Sequence, residues 1–299
     1  MEREEKREEL KRELYEAVKR ELGEGYTVQL EEIERNNGIL FPAVISRKGE
    51  SRTAPIVYID RILEGIESGG MELWEAVQKI ADACRKNESD KLAGFLGSVT
   101  KEDILGKVRY RLINFKRNEK RLEALPYNRL FDLAAVYEIV LKEGETGTAS
   151  MLVDYRFLNH YSISREEIDA AAKRNTERKG FCVHDMTAIL AEMEGEEAFR
   201  ELRERSEKIW VLSNQEGIHG ASVMLYEGYF DRLAQEAGSD LYILPSSIHE
   251  VLAVEAGGLN PEELKDMVKM VNDTVVPENE VLSETVYRYR RETHQLEAA

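Results

Sequence analysis

The sequence predicts an α+β fold, a mixed β-sheet packed with helices and preceded by an N-terminal amphipathic helix. Three patterns carry that expectation: a four-residue apolar spacing near the start, alternating segments separated by turn residues, and short apolar runs interleaved with capped helical segments. With 299 residues, 42% hydrophobic and 33% charged, the chain can bury a core of more than one lobe. The expected division is residues 1–25 as a helix, 26–145 as one α+β lobe and 146–299 as a second. The turn-like stretch Lys142 to Gly147 is the boundary.

From Glu2 to Leu22, Leu10, Leu14, Val18 and Leu22 recur among Glu, Lys and Arg, giving one narrow apolar stripe. Such a helix docks on its own lobe or offers a homodimer seam. Tyr26 to Arg35 and Ile39 to Arg47 flank Asn36-Asn37-Gly38, whose residues tolerate the positive φ of tight turns, so a β-hairpin is expected. Ala54 to Ile59 leads into a helix through Gly65, and Leu73, Trp74, Val77, Ile80, Ala81 and Cys84 mark another amphipathic helix. Trp74 and Cys84 are then expected in the core.

Thr100 to Asp103 has the form of a capping box. Lys107 to Phe115 reads as a strand with Arg109 and Arg111 on its outer face, Arg117 to Leu125 as a helix, and Asp132 to Leu141 as a strand inside a sheet. Ala149 to Val153 is a short strand, and Ser164-Arg165-Glu166-Glu167 opens a helix to about Arg174. Ile209 to Leu212, Ala221 to Ala237 and Leu241 to Leu244 read as strand, helix and strand in a parallel unit. Val251 to Val254 is a further strand. Asn260-Pro261 starts a last helix ending near Val271, and Glu297 to Ala299 carries no structural signal.

The formal net charge of −16 disfavours phosphate backbones and favours solubility. No apolar run approaches the roughly 20 residues of a membrane span. The opening Met1-Glu2-Arg3-Glu4-Glu5 lacks the apolar core of a signal peptide, and a soluble cytoplasmic protein is expected. Cys84 and Cys182 are too far apart to suggest a disulfide framework. The five histidines, His160, His184, His219, His249 and His294, show no zinc-hydrolase spacing. No metal and no cofactor are therefore expected.

Three segments offer candidate chemistry. In Leu244-Pro245-Ser246-Ser247-Ile248-His249-Glu250, Ser246 or Ser247 with His249 and Glu250 supplies the parts of an acyl-transfer site. An extended chain would put Glu250 on the opposite face from Ser247 and His249, and no nucleophile elbow is present. Asn214, Gly217, His219 and Gly220 lie between a strand and a helix, where a small ligand could bind. Arg109, Arg111 and Lys116, beside Tyr110 and Phe115, have the charge and aromatic pairing of a single-stranded nucleic-acid surface.

Tyr127-Asn128-Arg129-Leu130-Phe131-Asp132-Leu133, Asn175-Thr176, Val211-Leu212-Ser213-Asn214 with Gly220-Ala221, and Leu244 through Glu250 together resemble a family of uncharacterised bacterial proteins catalogued as a domain of unknown function. The likeness spans most of the chain after the first helix. In that family a proline follows the Asn-Thr pair, where this chain has Glu177. The resemblance implies a shared fold and carries no activity. The leading functional expectation is a binding or regulatory module with a protein or small-molecule partner, followed by hydrolysis and then nucleic-acid binding.

Overall fold

A computed structural model of the chain describes residues 2–50, 54–86, 99–144, 147–186, 208–245 and 247–299. The fold is α+β, and it divides into two units: residues 1–35 with 39–99, and residues 36–38 with 100–299. The division therefore falls near residue 100 and not over 142–147. There, β6 (Leu133–Gly144) and β7 (Gly147–Leu152) pair as a hairpin, with Gly144 opposite Gly147.

In the first unit, α1 (Glu2–Leu22) and α3 (Leu73–Lys86) cover a sheet of β1 (Tyr26–Glu34), β2 (Leu40–Lys48) and β3 (Ile56–Tyr58), with α2 (Asp60–Glu67) alongside. The α1 stripe serves this unit's own core: Leu14 and Val18 are fully buried with Val44, Leu63, Ile80 and Cys84. Each such aliphatic side chain contributes about 1.5–3 kcal/mol. Between them, Lys11 bonds Glu8 and Glu32 at 2.8 and 2.6 Å. Trp74 is 67% exposed, a departure from the expected core position. It stands in the first turn of α3, ahead of the packed run that begins at Ala76.

In the second unit, β6 is the centre of one sheet. It pairs with β4 (Val108–Asn114), β5 (Tyr127–Leu130) and β7. Around it lie α4 (Lys101–Lys107), α5 (Glu119–Leu122), α6 (Tyr155–His160) and α7 (Arg165–Lys179). Both expected capping boxes form: Thr100 and Ser164 accept the amides of Asp103 and Glu167 at 3.1 Å, and those carboxylates reach back at 3.0 and 2.9 Å. Asn175 in α7 donates to the carbonyls of Leu105 and Val108, and Thr176 accepts the Tyr110 amide at 2.9 Å. The Asn-Thr pair thus docks this helix on β4. Asn36 and Asn37 belong to this unit, donating to the carbonyls of Asn279, Glu278 and Val281.

The other sheet has the order β13 (Gln295–Ala298), β12 (Tyr287–Arg290), β10 (Leu241–Leu244), β11 (Val251–Glu255), β9 (Ile209–Ser213) and β8 (Cys182–Asp185). Every strand pair among the described residues is antiparallel, so the sheets are not mixed. β9 and β10 do not pair as a parallel unit, because the short 245–250 connection lets β11 fold back between them. The expected helix over 221–237 is broken at Tyr226 into a 3-10 turn, Gly220–Leu225, and α8 (Glu227–Ala237). The last helix, α9 (Pro261–Thr274), starts at the Asn260 cap as expected and runs one turn longer. The tail pairs as β13 against β12.

Candidate functional site

Glu138 lies in the middle of β6 and is 4% exposed. A buried carboxylate is costly unless it is paired and hydrogen-bonded, and three neighbours answer that cost. In the β4–β6 register Arg109 stands directly opposite Glu138, and Arg111 is the diagonal neighbour on the same face, at 3.4 Å from Oε1. Ser150 on β7 donates to Oε1 at 2.7 Å, and His219 Nδ1 lies 2.9 Å from Oε2. Burial alone would raise this carboxyl, but the His219 bond, Arg111 and Ser150 outweigh it and bring it down to about 2. Glu138 is therefore ionised at neutral pH.

His219 reaches Glu138 from the loop after β9, with its backbone left-handed at φ 56° and ψ 28°, a conformation that costs a non-glycine residue about 1–3 kcal/mol. The following Gly220 explains what holds it there. A Cβ at Gly220 would collide with Ser213 Oγ and sit 2.5 Å from the His249 carbonyl and 2.6 Å from the Asn214 amide. Only glycine permits this close approach. Asn214 closes the loop base, accepting the Ile218 amide at 3.2 Å and donating to its carbonyl at 2.6 Å. Gly217, at φ 64°, makes the intervening turn.

His249 stacks on His219, with ring centroids 5.6 Å apart and planes 12° from parallel. Its Nδ1 accepts the His219 backbone amide at 3.2 Å, and its Nε2 is 3.6 Å from Glu280. The hydrogen-bond network assigns the tautomers: Nδ1–H on His219, directed to Glu138, and Nε2–H on His249, directed to Glu280. Burial holds both imidazoles below the ordinary histidine value and Arg111 adds to this; Glu138 and Glu280 oppose it at His219, Glu280 and Glu250 at His249. His219 is the neutral partner of an ionised carboxylate.

The sequence-derived candidates fall into three groups. Asn214, His219 and Arg109 line one open cleft with Glu138, Lys179 and Glu216. Lys179 and Glu216 form an ion pair there. Gly217 and Gly220 shape the loop. Ser247 is buried and its Oγ accepts the His249 backbone amide at 3.0 Å. It is thus bonded to the main chain of His249, whose ring nitrogens face other groups. Ser246 lies outside the described residues. Glu250 makes no hydrogen bond to His249 among the described residues.

The residues of the basic stripe fall in different environments. Arg111 turns inward to Glu138 and Arg109 faces the cleft, while Lys116 is exposed together with Lys107, Arg117 and Lys120. Phe115 lies under Arg129, 3.9 Å from its ring centre, and beside Tyr127. Among the described residues no group of three or more His, Cys, Asp or Glu is placed to hold a metal ion, and no helix is long and apolar enough to cross a membrane.

Glu138, Glu280, Lys179 and Glu216 are site residues that sequence reasoning missed. A single acid within the apolar run from Leu133 to Leu141 was a usable signal for Glu138. Glu280 sits in a polar segment with no comparable mark. The chain belongs to a family of unknown function, DUF5688, whose profile matches residues 7–291. That is the family class the segment resemblance indicated. No curated protein and no solved structure is significantly similar to the chain.

Proposed function

We propose that the protein is a binding module that takes a small acidic molecule into the cleft between Glu138, His219, Arg109 and Lys179. The observation that supports this reading is convergence: β4, β6, the end of α7 and the loop after β9 all bring polar side chains to the same cleft. Arg109 and Lys179 supply positive charge for a carboxylate or phosphate, and His219 supplies a hydrogen-bonding nitrogen. A cytoplasmic setting is supported by the two free thiols, Cys84 and Cys182. A bacterial source is supported by the segment resemblance.

The test uses the full chain and three probes: acetate, glycine and inorganic phosphate. Amide and side-chain resonances of Arg109, Lys179 and His219 are expected to shift saturably with at least one probe in the millimolar range. Arg109→Gln should weaken that binding about tenfold or more, the loss of one charge-assisted contact. If none of the probes gives a saturable shift, this reading is wrong. Hydrolysis by Ser246 or Ser247 with His249 has less support, since Ser247 Oγ is bonded to the main chain. Nucleic-acid binding has less again, since Arg111 is paired with Glu138.

A further inference from the structure

We infer that His219 is a general base for hydrolysis of a small carboxylic ester held in this cleft, and that Glu138 is its positioning residue. The inference rests on the cleft being a ligand site and adds a reaction to it. Glu138 takes the Nδ1 edge of the imidazole at 2.9 Å, which leaves Nε2 as the nitrogen with no hydrogen-bond partner among the described residues. His219 itself lines the cleft. His249 lacks this freedom, because Nδ1 receives the His219 amide and Nε2 faces Glu280.

The reaction needs only water. Nε2 takes a proton from a water whose oxygen bonds to the acyl carbon, and the carbon–oxygen bond to the leaving alcohol then breaks. The departing alkoxide takes the proton back from Nε2–H, giving a carboxylic acid and an alcohol with no change of oxidation state. The acid then loses its proton to solvent, and the carboxylate carries the negative charge that Arg109 and Lys179 would hold. Burial, with Arg111 nearby, keeps the imidazole in its basic form at neutral pH. The left-handed backbone at His219, fixed by the packing of Gly220, is the kind of maintained strain found where a side chain must be aimed.

The experiment follows hydrolysis of p-nitrophenyl acetate by the full chain, compared with His219→Gln and Glu138→Gln. Wild type should exceed His219→Gln in kcat/KM by about 10²–10⁴-fold, the range of a lost general base, and show a normal solvent deuterium isotope effect. The rate should fall with acid through a midpoint below 6.5, the ordinary imidazole value. In Glu138→Gln that midpoint should move further down, because the carboxylate that favours imidazolium is gone; a merely structural Glu138 would change amplitude and leave the midpoint in place. A wild-type rate equal to that of His219→Gln, or an unmoved midpoint in folded Glu138→Gln, overturns the assignment. Saturable acetate binding without ester turnover sinks the base and leaves the binding reading intact; absence of acetate, glycine and phosphate binding removes the binding reading itself.

Discussion

Strands β4 and β6 carry two carboxylate networks on opposite faces, and the two differ in kind. On one face Tyr110 and Tyr137, paired in register, both donate at 2.7 Å to Asp169 of α7, and Asn128 donates to the same oxygen. One residue along, the other face holds Arg109, Arg111 and Glu138 against His219. Asp169 is met by neutral donors. Burial and Asp169 push both tyrosine hydroxyls well above their ordinary range, so none of the three changes charge near neutral pH. Asp132 is similar, accepting from Ser283 at 2.5 Å, Thr285 at 3.2 Å and Tyr287. A carboxylate saturated by hydroxyls and amides fixes a scaffold. One bonded to a neutral imidazole in a cleft wall holds a group that can accept a proton.

The largest effect should come from breaking the second network. Glu138→Ala removes a buried carboxylate that His219, Ser150 and the partly buried Arg111 all engage, and should cost about 3–5 kcal/mol in urea unfolding. Asp169→Asn keeps an acceptor for one tyrosine and leaves no charge stranded, so about 1–3 kcal/mol is expected. Equal losses in the two variants would erase the distinction drawn between the faces.

Acid titration separates the networks next. The folded chain holds His219 and His249 below the ordinary 6.5, so in that range the unfolded chain binds more protons. Their contribution to stability is complete above about 6.5 and is lost as the pH falls towards the folded values. Glu138 adds a second window: its carboxyl moves from 4.5 to about 2, and about 3 kcal/mol is lost as the pH falls between those values. Asp169, lowered from 3.8, keeps its contribution through this range and loses it only as the pH falls below about 3.8. Urea unfolding from about pH 7 to about pH 5 should therefore show a decline in wild type and Asp169→Asn that flattens in His219→Ala/His249→Ala. An undiminished slope in the double variant would place the titration elsewhere.

What the sequence reveals follows how local each cause is. The Thr100 and Ser164 boxes, the Asn260-Pro261 start and the alternation of 108–114 are settled within a few residues, and all appear in the fold. The break at Tyr226 is not local: its hydroxyl donates to the Lys173 carbonyl at 2.8 Å, a tertiary contact that no 3.6-residue period encodes. β13 exists because β12 lies beside it. The family-like segments prove to be largely polar fastenings. Asn128 serves Asp169, Asp132 gathers Ser283, Thr285 and Tyr287, and Asn175 with Thr176 docks α7 on β4. The His219–Glu138 pairing spans 81 residues and was invisible for the same reason, although Asn214, Gly217, His219 and Gly220 were legible as candidates.

The smallest effect tests which kind of network the 247–249 segment belongs to. Ser247 Oγ accepts the His249 amide at 3.0 Å, the Ile248 amide bonds the Glu280 carbonyl at 2.9 Å, and Ser213 Oγ donates to the His249 carbonyl at 2.8 Å. These bonds hold the main chain beneath the histidine stack. Ser247→Ala removes one acceptor and should cost about 1 kcal/mol in urea unfolding, with p-nitrophenyl acetate turnover within about threefold of wild type, since slight loosening of the stack corresponds to a few tenths of a kcal/mol. A nucleophile would behave oppositely: turnover would collapse while stability held. That outcome would move the chemistry from the Glu138 face to the 247–249 segment, and His219 would then be a structural neighbour.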